Sequence, residues 1–344
     1  MMDNVRSIST SGLLHSAAML FDDRVLKITA PGGKSRGTYR LHFADRMIIA
    51  SHRPKNERAA LEARVLSALS PHCDDLPRFL GKHQHVVFQS DVGSVRASHA
   101  AQNASVVGRA ALADQAVQAL FRIQNAARST NLSQTLRTLG PDKPWTSRAV
   151  AVVDALADRG GITVPAFNRD TLIDALLPHR HRFLKWDSRS GNAALDHTGR
   201  LRWFDFEYAG MRHGAEDFAW LIADENWAVD CETMCETVQR HLDPDHPDSP
   251  DAYMTYLSRY ATIHAFQRLN LIISEVGKRG WRRKERVLHY DDVGIHPDLG
   301  LRQCQRAAAL ADRDPLTRPL VSLITPIMDA FAAAQMGTKA LVAE

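Results

Sequence analysis

Two stretches, Lys185-Trp-Asp-Ser-Arg-Ser-Gly-Asn192 and Leu201-Arg-Trp-Phe-Asp-Phe-Glu-Tyr208, decide how this chain is read. Between them, Ala193-Ala-Leu195, Asp196-His-Thr-Gly199 and Leu201-Arg-Trp-Phe204 have the pattern of a strand, a turn and a second strand. Such a hairpin brings Asn192 and Asp205 close in space, with Asp187 on the loop that leads into it. Asp187 is suited to orient a hydroxyl and accept its proton. Asn192 and Asp205 offer oxygen ligands for magnesium, a hard cation that takes one or two carboxylates from protein. Phosphoryl transfer to a hydroxyl asks for this set: an oriented acceptor, neutralised phosphate charge and exclusion of water. Singly, Asp187 and Asn192 also read as turn-capping loop residues. The weight rests on the order of all three.

Outward from that segment, size and composition set the bounds. A chain of 344 residues, 44% hydrophobic, can fill two modest domains or one bilobal one. It reads as a soluble globular protein. The apolar stretch Leu320 to Ala334 is interrupted by Thr325, Pro326 and Asp329, so no membrane span is expected. The N-terminus lacks the pattern of a secretory signal, and a cytoplasmic location is expected. Cys73, Cys231, Cys235 and Cys304 form no C-x-x-C pair and are expected to be reduced, packed thiols. The net charge of +4 is spread out apart from Lys278 to Arg286, which reads as a solvated helix end, so no nucleic-acid partner is expected.

The pattern along the chain divides it in two. Val25 to Thr29, Thr38 to Phe43 and Met47 to Ala50 read as three hairpin-linked strands. A helix is predicted over Asn56 to Leu69, then short strands at Arg78 to Leu80 and His85 to Phe88. From about Ala97 helical patterns dominate, over Ala110 to Ala127, Thr146 to Ala157 and Arg169 to Leu177. They resume beyond Glu216, broken by the Pro- and Asp-rich segment 243–251. The expected architecture is α+β: a small antiparallel-sheet-plus-helix lobe, residues 1–95, before a large, mainly helical lobe, residues 96–344.

On these residues the chain resembles the aminoglycoside phosphotransferase and choline kinase superfamily of small-molecule kinases, which has the bilobal protein-kinase-like fold. Asp205-Phe-Glu-Tyr-Ala-Gly210 is similar to the choline/ethanolamine kinase form of the magnesium-Asp motif. Glu216-Asp-Phe-Ala219 resembles the segment whose Asp, here Asp217, fastens the catalytic loop from below. The resemblance is clearest over Phe183 to Ala223. It implies Asp187 as catalytic base, Asn192 and Asp205 as magnesium ligands, and ATP as donor. Lys185 departs from it, standing where the family carries a His; a long cation there anchors the loop or touches phosphate.

The same resemblance places further residues. Arg189 stands where a protein kinase has a Lys that neutralises the transferring phosphoryl group; a surface cation is the plainer reading. A cation on the third strand is implied, paired to a Glu on the next helix. The strand has no Lys, leaving Arg53 or His52, with Ser51 at the expected place, and Glu62 ahead of Glu57 as the partner. In Pro31-Gly-Gly-Lys-Ser-Arg-Gly37, Gly32, Gly33 and Gly37 either arch over phosphates or make a plain hairpin turn. It is not a Walker A loop, since Thr38 follows where Lys is needed. Phe88-Gln-Ser-Asp-Val-Gly93, with Ser90, is implied as the interlobe linker beside adenine.

The acceptor is a small hydroxyl compound. Glu216, Asp217, Asp224, Glu225, Asp230, Glu232 and Glu236, with Trp220, Trp227 and Tyr208, suit a cationic acceptor such as an amino-sugar or amino-alcohol; a solvated helix surface reads equally well. The competing function is a catalytically weak nucleotide-binding or interaction protein on the same scaffold. A protein kinase is disfavoured, because no A-P-E tripeptide follows Asp205. Oligomeric state and the choice between ATP and GTP are open.

Overall fold

Alternation along the first strands decides which face of their sheet is core and which is free. The computed structural model describes residues 8–33, 36–244 and 246–342, with side chains as far as Met336. Helix α1 (Thr10–Ala18) precedes β1 (Lys27–Thr29), β2 (Thr38–His42) and β3 (Met47–His52); α2 (Asn56–Leu69), β4 (Phe79–His83) and β5 (Val86–Ser90) follow. These form one antiparallel sheet in the order β1-β2-β3-β5-β4. Tyr39, Leu41, Ile48, Ala50, Val86 and Phe88 cluster with Leu13 and Ala17 of α1. Their neighbours Thr38, Arg40, Ile49, Ser51 and Gln89 point the other way, into a cavity. A period of two thus gives a dry face under α1 and a ligand face beneath.

Helix α1 has no counterpart among the sequence expectations. It is short, and its start rests on one N-cap, Ser9, whose hydroxyl accepts from the Gly12 N–H. The predicted helix over Thr146 to Ala157 is two helices, because Ala151 opens the turn with ψ −10°.

The second part starts with β6 (Val95–Arg96), α3 (Ala97–Asn103) and α4 (Val106–Ala127). Next come α5 (Leu132–Thr135), α6 (Lys143–Val150), α7 (Val152–Gly160) and α8 (Arg169–Ala175). Strands β7 (Arg182–Leu184), β8 (Ala193–Leu195), β9 (Leu201–Trp203) and β10 (Gly210–Arg212) carry the site segment. Then α9 (Glu216–Ile222), α10 (Cys231–His241), α11 (Pro250–Arg279), α12 (Lys284–Tyr290), α13 (Pro297–Asp312) and α14 (Ile324–Val342) complete it. Strands β8 and β9 form the expected hairpin, with β6 added to its edge, while β10 pairs with β7. One large apolar core joins these helices and extends to α2 and Val87 of the sheet. This is the small sheet lobe and large helical lobe of the expected fold class.

The premise that Thr325, Pro326 and Asp329 break the last apolar run is corrected. Arg318–Met336 is a continuous helical run, long and apolar enough to cross a membrane by length and composition. Pro326 falls in the first turn of α14, where a missing N–H costs nothing, so it does not interrupt the helix. Leu320, Leu323, Ile324, Ile327 and Phe331 of this run are packed in the main core. The four cysteines are free, three of them buried.

Candidate active site

Strand β7 hands the chain to Lys185, and the loop that follows hangs on two buried carboxylates. Asp217 of α9 accepts from the Lys185 N–H at 2.9 Å and the Trp186 N–H at 2.8 Å, and its carbonyl accepts from Ser188 Oγ at 2.7 Å. Asp224 accepts from both the N–H and the hydroxyl of Ser190, at 2.8 and 2.5 Å. These bonds over-determine a backbone that is otherwise disfavoured. Trp186, Asp187 and Asp205 have φ of 57°, 48° and 69°, in the left-handed region that side chains avoid. The predicted role of Asp217 as the fastener beneath the loop is thus visible in its bonds. Burial pushes its carboxyl up to about 6, against the pull of the donors.

The three residues of the motif converge. Asn192 Nδ2 donates to Asp187 Oδ2 at 3.0 Å and to the Asp187 carbonyl at 2.9 Å. The Phe204 N–H donates to the Asn192 carbonyl at 2.9 Å, closing the hairpin so that Asn192 and Asp205 line one cavity. Lys185 answers the question its position raised. It is fully buried, and Nζ donates to the carbonyls of Asp205 at 2.9 Å and Asp187 at 3.2 Å. It anchors the loop, tying Asp187 to Asp205 through their carbonyls. Burial pulls its ammonium below the ordinary value, with Asp205 and Asp187 opposing.

Asp187 is half-buried. Burial resists its ionisation, but Arg189 and Lys185 outweigh it and hold the carboxyl below the usual range. Arg189 Nε donates to Asp187 Oδ1 at 2.9 Å, and its Nη1 lies 3.7 Å from Asp291 Oδ2. It is therefore an internal partner of Asp187, not a free surface cation.

The third-strand cation is Arg53, one residue past β3. It forks onto Glu62 of α2, Nε to Oε2 at 2.7 Å and Nη2 to Oε1 at 2.8 Å. Nη2 also reaches Asp205 Oδ1 at 2.7 Å, and Nη1 lies 3.4 Å from Glu207. Ser51 is buried and accepts from Gln89, so the charge has moved two residues along. The longer arginine makes that shift possible and binds two carboxylates at once. Burial pushes Glu207 up to about 7, Arg53 opposing, and its Oε2 has no hydrogen-bond donor among the described residues.

Two cavities meet here. The first, of about 400 Å³, lies between the sheet and the hairpin, with Ile49, Val92, Ala194 and Phe204 as apolar wall and Arg36, Arg53, Arg58 and Arg96 among its cations. The second, of about 480 Å³, is walled by Trp186, Tyr208 and Trp220 and carries Asp187, Arg189, Arg36, Arg268, Asp291 and Asp292. Arg36 belongs to both.

The glycine turn is only partly at the site. Gly32 lines the first cavity, whereas Gly33 and Gly37 do not. At Gly37, φ is +66° and a Cβ would lie 2.8 Å from the His52 carbonyl, so strand pairing dictates glycine there. Lys34 and Ser35 lie outside the described residues. Ser90 lines the cavity, but its N–H and hydroxyl both bond Arg78, so its backbone donor is not free for a base edge.

The acidic run after Asp205 does not line the second cavity, correcting the ground for a cationic acceptor. Glu216 is paired to Arg212 and bonded by Tyr256, Glu225 takes both arms of Arg268, and Glu232 pairs with Arg313. Asp230 caps α10, and Trp227 is in the core. Trp220 and Tyr208 do reach the wall.

Arg36, Arg96 and Asp291 were not read from the sequence. Asp291 is 3% exposed, with φ of 47°; its Oδ2 lies 3.6 Å from Arg96, and Arg36 bonds its carbonyl and that of Tyr290. Its carboxylate sits where a Cβ on Gly191 would go, at 2.1 Å, so the loop needs glycine there. No local pattern marks a residue whose partners are so distant in sequence.

No protein-family model and no curated protein matches the chain. Solved structures do share its fold. A provisionally named aminoglycoside phosphotransferase from Ralstonia eutropha is 13% identical, with a TM-score of 0.55 over 94% of this chain and 98% of that one. Spectinomycin phosphotransferase, solved with ADP and spectinomycin, is 10% identical, with a TM-score of 0.55 over 94% and 99%. A choline/ethanolamine kinase family protein from Mesorhizobium loti is 14% identical, with a TM-score of 0.50 over 87% and 92%. The chain has the fold that aminoglycoside phosphotransferases and choline kinases share.

Proposed function

We propose that this chain is an ATP- and magnesium-dependent phosphotransferase that moves the γ-phosphoryl group to a hydroxyl of a small molecule of the aminoglycoside, amino-alcohol or sugar-like kind. The observation that carries it is the convergence of Asp187, Asn192 and Asp205 where an arginine-rich cavity meets an aromatic-walled one. The first cavity suits a nucleotide: a flat apolar wall for the base, cations for the phosphates. Gln89 adds a buried amide oxygen without a donor among the described residues, available to an amino group.

The donor set fits magnesium. Asn192 commits its nitrogen to Asp187, and Asp205 gives one oxygen to Arg53, so each keeps an oxygen unbonded among the described residues. When bound, the ion would neutralise charge on the β- and γ-phosphate oxygens. Asp187, ionised and braced by Asn192 and Arg189, would orient the acceptor hydroxyl and take its proton as the O–P bond forms. Arg36 and Arg96 stand ready for phosphate charge, and Arg53 grips the nucleotide from Glu62.

Two departures motivated a catalytically weak alternative: Lys185 for His, and no third-strand Lys. Against it stand the carbonyl anchors of Lys185 and the Arg53–Glu62 fork, which support the active reading. Purified protein with MgATP and a panel of aminoglycosides, amino-alcohols and sugars should release ADP only with a matching acceptor. Thermal stabilisation by nucleotide without turnover on any acceptor would favour the alternative.

A further inference from the structure

Away from both cavities, three ligand-type side chains from three segments meet at the far end of the β7–β10 ladder. His179 stands just before β7, His213 just after β10, and Asp248 in the loop before α11. One donor atom from each lies within 4.8 Å of the others. The tight pair is His213 Nε2 and Asp248 Oδ2, 3.2 Å apart, yet Oδ2 has no hydrogen-bond partner among the described residues. Two ligands held about 2.0–2.1 Å from a tetrahedral ion stand roughly 3.3 Å apart, which is the spacing of this pair. His179 Nε2, on an exposed side chain whose ring packs edge-on against His213, is 3.9 Å from Asp248 Oδ1.

The surroundings are built to hold these groups in place. His213 is 1% exposed and stacks on Tyr256, ring centroids 3.8 Å apart and planes at 11°. Arg180 Nε donates to Asp248 Oδ1 at 3.1 Å, orienting the carboxylate as an outer-shell donor does. Two imidazoles and a carboxylate are a ligand set for a borderline dication of the zinc type, not for magnesium.

We propose that His179, His213 and Asp248 form a zinc-type structural site, its fourth position open to water on the His179 side. It clips the outer ends of β7 and β10, whose inner ends lead to Lys185 and back towards Asp205. The ion would thus hold the ladder beneath the catalytic loop in register. The guanidinium of Arg180 beside it sets the affinity below that of closed four-ligand sites.

The test uses the full chain, stripped with chelator and titrated with cobalt(II) in excess magnesium, then with zinc. One equivalent of cobalt should give the intense visible bands of a four-coordinate ion, which zinc then removes, and zinc should raise the melting temperature. His179→Ala, at an exposed position, and Asp248→Asn should each weaken zinc binding about 10–100-fold, with His179→Ala leaving the melting temperature of the stripped protein unchanged. Absence of the cobalt bands, or wild-type zinc affinity in both variants, would reduce the cluster to hydrogen-bonded polar residues and overturn the proposal.

Discussion

The two cavities that meet at Asp187 are made differently. The first is walled by the free face of one sheet and by the hairpin, and its five arginines outnumber its three carboxylates beside an apolar surface. The second draws on the catalytic loop, α9, α11 and the 291–293 turn, and matches three arginines with three aspartates around aromatic rings. A wall of that first kind suits a ligand carrying one large negative charge at one end. A wall of mixed sign suits a polar ligand recognised by many modest contacts. Differences in substrate are therefore to be sought in the second cavity, where residues from several segments can vary independently.

That contrast can be broken by substitution. The largest effect is expected at the junction. Asp187→Asn should lower kcat roughly 10³-fold or more, the scale of lost general-base catalysis, while nucleotide binding, read by thermal shift, persists. Next, Arg53→Ala would leave Glu62 and Asp205 without their buried partner, at a cost of about 3–5 kcal/mol. Denaturant unfolding should show that loss, and nucleotide affinity should fall while any acceptor KM stays near wild type. If acceptor KM moved as much, the separation of the two cavities would be wrong.

Lys185→Met keeps the bulk and removes the charge that binds two carbonyls. About 1.5–3 kcal/mol of charged hydrogen bonding should be lost, with kcat falling more than either KM, because the loop joins both cavities. The smallest effect concerns Glu207, whose carboxyl is pushed up to about 7 from 4.5. Between those values the folded chain keeps a proton that the unfolded chain has released, so this group's contribution falls as pH rises through the window and is fully lost above about 7. Glu207→Gln should flatten that slope and leave the protein more stable than wild type at pH 8, as thermal melts across pH would read. An unchanged slope would place the titration elsewhere.

What the sequence disclosed follows the range of the interactions. The hairpin, helix α2 with Glu62, and the succession of strands along the chain come from local patterns, whereas the pairing of β5 with β3 does not, and the Asp-Asn-Asp set lies within one short segment. Arg53, left open beside His52, was within reach because its partner Glu62 sits nine positions on, midway along α2. The acidic run misled, since composition cannot tell a carboxylate facing solvent from one that holds Arg268 or the catalytic loop. Asp291 was invisible for a related reason: its value comes from Gly191, Arg96 and Arg189, which only the folded chain brings near.

The tryptophans carry a practical consequence. Trp186 and Trp220 stand in the wall of the second cavity with ring centroids 5.6 Å apart, while Trp203 and Trp227 are sealed in the core. The indoles lining that cavity are thus the ones whose emission responds to a visitor there, and the sealed pair supplies a steady background. The molecule carries its own fluorescent reporter, and ligands can be screened by intrinsic emission before any turnover is measured.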